Sequence, residues 1–453
     1  MTKSVNTREL ILGILLEVTE HEAYSHLIIR NVLDKYQYLD KQERAFITRV
    51  SEGTIENMIL IDYIINQFSK VSINKMKPVI RSILRMSVYQ LKFMDSVPDS
   101  AVCNEAVKLA TRKGFHNLKG FVNGVLRNIS RNLEQVTFPD EKKTPSKYLS
   151  IMYSMPEWIV EKWLEEYEYH IVKRILEGFL NKNSTTIRCN TSKITTEELK
   201  AMLNQEGIQV NSSNCLDYAL EISDYNRINV MEAFKKGFFQ VQDISSMLVA
   251  EVADIKENSY VIDVCAAPGG KSLHAADKLK ETGYVEARDL TENKITLIEE
   301  NINRIGFTNI EARQQDALIL DEKSLEKADV VLADLPCSGL GVIAKKTDIK
   351  YKMTPKKQSA LVKLQRDILH VVGQYVKPGG VLIYSTCTIN REENLENVSW
   401  FIQNHEFELE SISNYLKDKL QCDTAESGYV QLLPEINETD GFFIAKLRKA
   451  DRQ

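Results

Sequence analysis

Cysteine is sparse and scattered in this chain. Its seven cysteines among 453 residues include no C-x-x-C pair, which argues against a disulfide framework and against a zinc site built on paired thiols. Long apolar runs are missing as well. None approaches the ~18 residues that cross a bilayer, so no membrane partner is expected. The opening Met1-Thr2-Lys3-Ser4-Val5-Asn6 lacks the apolar core of a secretory leader. No low-complexity tract or internal repeat stands out. A reduced, cytoplasmic, monomeric protein without a metal is the expectation. What remains is ordinary globular composition, 43% hydrophobic and 27% charged, at a length that suits about two to four domains.

The net charge of −5 hides an asymmetry. Between Lys70 and Arg131 there are 12 Lys and Arg against three Asp and Glu. A basic helical face of this kind suits a phosphate backbone, although an ordinary solvated surface has similar composition. Residues 1–138 read as all helix. Ile11, Ile14, Leu15 and Val18 recur at helical spacing, as do Ile80, Ile83, Leu84 and Val88, and Asp40-x-x-Glu43 is a capping box. A polar, proline-bracketed linker follows from Pro139 to Pro145. Residues 146–236 suggest a small α/β subdomain with a strand at Thr185–Asn190 and a helix beginning near Thr195. Residues 237–450 alternate strand and helix. Strands are predicted at 260–264, 284–289, 310–315, 329–334 and 381–386, and helices near 271–280, 291–305, 355–376 and 391–404. That alternation predicts a mainly parallel, doubly wound α/β sheet, closed by a hairpin from Val430–Pro434 and Asp440–Leu447.

The first strand of that sheet runs into Cys265-Ala266-Ala267-Pro268-Gly269-Gly270-Lys271-Ser272. Small residues there let a ligand approach the main chain and the positive end of the next helix. Gly270-Lys271-Ser272 resembles the end of a P-loop, but that motif needs glycine where Cys265 stands, and Pro268 removes an N–H donor. The dinucleotide fingerprint G-x-G-x-x-G is absent too. Asp289 ends the second strand, where an acid can accept hydrogen bonds from ribose hydroxyls. Asp316 follows the third strand and suits an adenine amino group. With Asp334 they place three acids at successive strand ends, a pattern that fits an adenosine-containing cofactor.

Two thiols share that sheet edge. Asp334-Leu335-Pro336-Cys337-Ser338-Gly339 ends one strand and Tyr384-Ser385-Thr386-Cys387-Thr388 ends the next. A lone strand cysteine is usually a buried small hydrophobe. Two at neighbouring strand ends, one beside a carboxylate, point to covalent chemistry. A thiol needs a nearby cation or helix end to favour the thiolate. Lys271 can be that cation, or equally a structural or cofactor contact.

These phrases, with Lys377-Pro378-Gly379-Gly380, Glu393-Asn394 and Thr439-Asp440-Gly441-Phe442-Phe443, resemble the RNA (cytosine-5) methyltransferases of the RsmB/Sun type. Val97–Val107 and Gly120–Arg127 resemble the NusB-like helical RNA-binding domain, which narrows the resemblance to bacterial enzymes acting on small-subunit ribosomal RNA. The resemblance implies a Rossmann-like class I methyltransferase domain that binds S-adenosylmethionine through residues 265–271, Asp289, Asp316 and Asp334. It implies RNA binding by the two preceding domains. Sequence chemistry does not decide which cysteine attacks, since DNA cytosine-5 enzymes use the Pro-Cys turn. The family implies Cys387 as nucleophile, Cys337 as an aid to product release, and Asp334 on the cytosine N3/N4 edge. Lys345, Lys346, Lys350, Lys352, Lys356 and Lys357 are well placed to hold phosphates, although an ordinary lysine-rich loop has the same composition. Leu335 stands where Ala is usual, and Thr347 where Pro usually precedes Asp348, which bears on loop geometry. Transfer RNA or another RNA as substrate, and an inactive RNA-binding assembly factor, are the competing readings.

Overall fold

The structure is a computed structural model that describes residues 5–181, 185–416, 420 and 422–451. Residues 1–4, the first part of the leader reading, lie outside the described residues. The chain divides into two compact units, Met1–Leu180 with Ile343–Met353, and Asn181–Val342 with Thr354–Gln453. The segment 146–236 is thus shared, its helices up to Leu180 in the first unit and its strands in the second.

In the first unit the regular elements among the described residues are helices. The Asp40 capping box forms as the spacing predicts, with Glu43 N–H donating to Asp40 Oδ1 at 2.7 Å. Asn6 caps the helix Thr7–Glu20, and Pro78 opens Pro78–Phe93, where a missing N–H costs nothing. Ile11, Leu15, Ile61, Ile64, Ile83, Leu84, Val122 and Leu126 pack into one core. Across it, Arg85 holds Asp62 through two bonds of 2.7 and 2.6 Å.

Residues 343–353 belong to this unit and correct one expectation. Lys350 is buried, and its ammonium donates to Glu56 O at 2.9 Å. Burial pushes it down to about 7. Lys352 donates to Ala23 O at 2.7 Å and pairs with Asp348, which also accepts from Ser25. These two lysines anchor the segment instead of facing phosphate. Lys345, Lys346, Lys356 and Lys357 are exposed.

The second unit carries two sheets. The smaller is antiparallel: β1 (Thr185–Cys189), β2 (Gln209–Ser212), β3 (Ala219–Ser223) and β4 (Phe239–Val241), in the order β2-β3-β1-β4. The larger contains β5 (Tyr260–Asp263), β6 (Tyr284–Asp289), β7 (Ile310–Gln314), β8 (Ala328–Asp334), β9 (Val376–Thr386), β10 (Phe407–Leu409), β11 (Tyr429–Leu432) and β12 (Phe442–Lys449). Its order is β10-β12-β9-β8-β5-β6-β7, with β11 paired to β12. Strands β5 to β9 are parallel, and β12 runs antiparallel to β9 as part of the predicted closing hairpin.

Alternate residues of the central strands enter opposite cores. Val261, Val330, Leu332 and Ile383 pack on one face; Ile262, Val331, Ala333 and Leu382 pack on the other. Strands buried on both sides read as apolar runs, which is why the sequence pattern finds them. The result is a Rossmann-like α/β sheet. The chain leaves β5 toward β6 and β7, then returns to β8 on β5's other side. The carboxyl ends of β5 and β8 therefore flank the switch point, where ligands bind in open sheets of this kind. Among the described residues, no helix is long and apolar enough to cross a membrane.

Candidate active site

Strand β5 ends in Asp263, and the helix Gly270–Leu279 begins seven residues later. The loop between them is pinned to both neighbouring strands: Val264 N–H donates to Leu332 O at 3.1 Å and Ala266 N–H to Arg288 O at 2.8 Å. Gly269 sits at φ +102°, a conformation side chains rarely adopt, and the Ala267–Pro268 bond is cis. Asp289, at the end of β6, accepts from Ala267 N–H at 2.9 Å, Leu290 N–H at 2.7 Å and Lys294 Nζ at 2.8 Å. Its two oxygens retain acceptor capacity for a hydroxyl. Asp316, after β7, lies at the same sheet edge and turns its own loop by accepting from Leu318 N–H at 2.9 Å.

Two further residues shape this loop without having been singled out in the sequence. Asp263 is buried, accepts from Ser272 Oγ at 2.6 Å, and is pushed up to about 7, chiefly by burial. Arg188 on β1 is also buried and reaches Gly270 O at 3.0 Å and Gln242 Oε1 at 2.6 Å. Strand periodicity cannot show that a β1 arginine points at a loop about eighty residues away. Cys265, half-buried in the loop, is pushed up by burial and by the charges of Asp289, Asp263 and Asp334. A thiol so disfavoured as an anion is a poor nucleophile.

The second half of the site forms where β8 and β9 end. Register pairs Asp334 with Ser385. Ser385 Oγ donates to Asp334 Oδ1 at 2.9 Å, and Lys271 Nζ meets Asp334 Oδ2 at 2.7 Å. The Lys271 ammonium also stands 5.4 Å from the Phe442 ring centroid. Burial works against that charge, but Asp334, with Asp263 and Cys387, outweighs it and the lysine is pushed up. Lys271 therefore stays charged at the carboxyl edge.

Cys337 and Cys387 meet there, Sγ to Sγ, at 3.2 Å. The contact to Cys387, burial, and the charges of Cys387 and Glu393 push the Cys337 thiol well up. Gly341 N–H donates to Cys387 O at 2.9 Å, and Gly441 N–H donates to Gly341 O at the same distance. A Cβ on Gly341 would lie 1.8 Å from Gly441 O, so only glycine fits. The helix predicted from 391 begins instead at Leu395, because Asn390, Glu393 and Asn394 turn their side chains back onto the two cysteine turns. Leu335 is buried and donates its N–H to Ser385 O at 3.1 Å, so its larger side chain leaves the ladder intact. Among the described residues, no group of three or more His, Cys, Asp or Glu side chains is placed to hold a metal ion.

The loop suits S-adenosylmethionine. A Cβ added at Gly270 would meet only Gln242, at 3.9 Å, so the space beside the main chain is open. The Asp289 carboxylate faces the same loop through the Ala267 N–H. Fold and site together fit an S-adenosylmethionine-dependent methyltransferase, and comparison with known proteins places it among those that act on ribosomal RNA. Residues 250–448 match the family described as 16S rRNA methyltransferase RsmB/F. Residues 155–229 match the RsmF/B-like ferredoxin-like domain, and residues 5–131 match the NusB family. The chain is 37% identical to a probable ribosomal RNA small subunit methyltransferase B of Bacillus subtilis, covering 99% of both chains. It is 30% identical to a protein of the same description from Synechocystis, covering 98% of this chain and all of the relative. Among solved structures, PH0851 superposes with a TM-score of 0.82 at 26% identity, over 98% of this chain and 99% of that one. NSun6 from Pyrococcus horikoshii, solved with SFG, gives 0.58 at 25% identity, over 64% of this chain and 97% of that one. The chain belongs to the RsmB/F family of 16S rRNA methyltransferases.

Proposed function

We propose that this enzyme methylates C5 of a specific cytosine in small-subunit ribosomal RNA, with Cys387 as the nucleophile. The observation that carries the reading is the 3.2 Å thiol pair beside the Lys271–Asp334 ion pair, at the sheet edge that ends the cofactor loop. Two thiols this close do not both ionise. Cys337 is held as a thiol, able to donate to its neighbour, while the Lys271 ammonium acts on Cys387. Cys387 then adds to C6, and the electron pair moves to C5. S-adenosylmethionine supplies the methyl group that C5 attacks. Loss of the C5 proton to solvent and departure of the Cys387 thiolate restore the aromatic ring, and Cys337 stands close enough to donate a hydrogen bond to the leaving sulfur and aid its release.

Asp334 contacts the cytosine N3/N4 edge and the amino end of the cofactor, and Lys271 keeps that carboxylate oriented. Asp289 accepts from the ribose hydroxyls, Asp316 from the adenine amino group, and residues 265–271 line the cofactor. Residues 1–138 and 146–236 bind the RNA and residues 237–450 carry out transfer. The protein acts as a monomer in the cytoplasm. The target base leaves its stack to reach the thiols, which favours a loop or an opened helix.

Incubating variants with RNA and S-adenosylmethionine tests the assignment. Cys387→Ala should lose turnover and covalent adduct together, whereas Cys337→Ala should accumulate a stable protein–RNA adduct. The opposite pattern reverses the roles of the two cysteines.

A further inference from the structure

Behind the two cysteines lies a buried carboxylate that the steps above do not use. Glu393 is wholly buried just before the helix Leu395–Asn404. Its Oε2 accepts from the Ser338 backbone N–H at 2.8 Å and from Gln365 Nε2 at 3.1 Å. Its Oε1 accepts from Ser338 Oγ at 2.6 Å and from Asn390 Nδ2 at 2.9 Å. Ser338 Oγ also reaches Thr388 Oγ1 at 2.9 Å, and Gln365 donates to Pro336 O at 2.9 Å. Pro336 and Ser338 flank Cys337, and Thr388 follows Cys387. Directly at Ser338, and through Gln365 and Ser338 at Pro336 and Thr388, one side chain thus ties both flanks of one thiol to the residue after the other.

The four donors to Glu393 are neutral, so its charge is solvated by dipoles without being cancelled by a cation in contact. A charge held this way acts strongly on a neighbour in the same dry interior. The titratable and charged groups facing Cys337 are Cys387, Glu393 and Tyr384. Lys271, paired with Asp334, acts on Cys387. A carboxylate thus binds the residue after Cys337, and an ammonium pairs with the Asp334 carboxylate three residues before it.

We propose that Glu393 is a positioning residue that sets which of the two cysteines reacts: its carboxylate is built into the Cys337 turn, and its hydrogen bonds hold the two turns at donating distance. The proposal rests on the reading of Cys387 as nucleophile. It predicts that burial of Glu393 serves reactivity as well as packing.

Alkylation of the full-length protein with iodoacetamide between about pH 6 and pH 10, read by peptide mass spectrometry, measures both thiols separately. In the native protein Cys387 should react at least ~10-fold faster than Cys337 near neutral pH. Glu393→Gln keeps the shape and removes the charge. It should raise the relative rate of Cys337 by roughly 10-fold and shift the pH profile of methyl transfer, leaving KM for S-adenosylmethionine unchanged. Ser338→Ala keeps the charge and loses the hydroxyl link, so kcat should fall while the alkylation ratio stays within about 2-fold. An unchanged ratio and pH profile in Glu393→Gln overturns the proposal. Should that variant fail to fold, Cys387→Ser decides: Cys337 must still titrate above the ordinary thiol value of about 8.5, and a value at or below it overturns the proposal equally. The nucleophile reading fails by a different observation, an RNA adduct carried by Cys337.

Discussion

Asp263 changes its chemistry on folding more visibly than its place in an apolar strand suggests. Burial lifts it from the ordinary 3.8 to about 7. The folded chain therefore holds a proton there that the unfolded chain has already released. Its favourable contribution is complete below about pH 4 and is lost as pH rises through 7, at a cost on the order of 4 kcal/mol. Denaturant melts at pH 5 and pH 8 should show that loss in the native protein and a flatter response in Asp263→Asn. Asp289 offers a second test at this scale. On its proposed role as ribose acceptor, Asp289→Asn should weaken S-adenosylmethionine binding by about 10-fold or more, measured by calorimetry.

Among the elements, the turn after β8 is built to tolerances that side chains cannot meet. Gly341 lies between Gly441 and the Cys387 carbonyl. Gly341→Ala should destabilise the protein by about 1–3 kcal/mol and lower turnover more than cofactor affinity, because the strain falls on the thiol turn. Thermal melts with and without S-adenosylmethionine separate the two effects. The parallel strands were legible in the sequence because burial on both faces makes Val261-Ile262 and Val330–Ala333 continuous apolar runs. Asp334 and the two cysteine turns follow such runs in β8 and β9, whereas the strands before Asp289 and Asp316 are broken by Glu286, Arg288, Glu311 and Arg313 and show only by their place in the strand–helix alternation. Glu393 was visible only as part of a phrase, without a role. Its partners Ser338, Gln365 and Asn390 are neutral polar residues with no periodic signature, brought together by the order of the strands. The buried Lys350 misled in the opposite sense: a lysine-rich loop suggests phosphate contacts, whereas this lysine satisfies the Glu56 carbonyl at a helix end.

For the whole molecule, the basic stretch between Lys70 and Arg131 should govern how binding responds to salt. Lys119 and Arg131 are exposed on this stretch. Replacing both with Ala should weaken RNA binding and reduce the slope of log K against log salt by about two, without affecting S-adenosylmethionine affinity. An unchanged slope places the phosphate contacts elsewhere. The chemistry itself is tested most directly by trapping it. RNA carrying 5-fluorocytosine at the target position lacks the C5 proton whose loss releases the enzyme, so the native protein should remain attached after methyl transfer. Digestion and mass spectrometry then identify the residue that carries the nucleotide. A methylated fluorocytosine adduct on the peptide containing Cys387 is expected; the same adduct on Cys337, or methylation without any adduct, contradicts attack by Cys387.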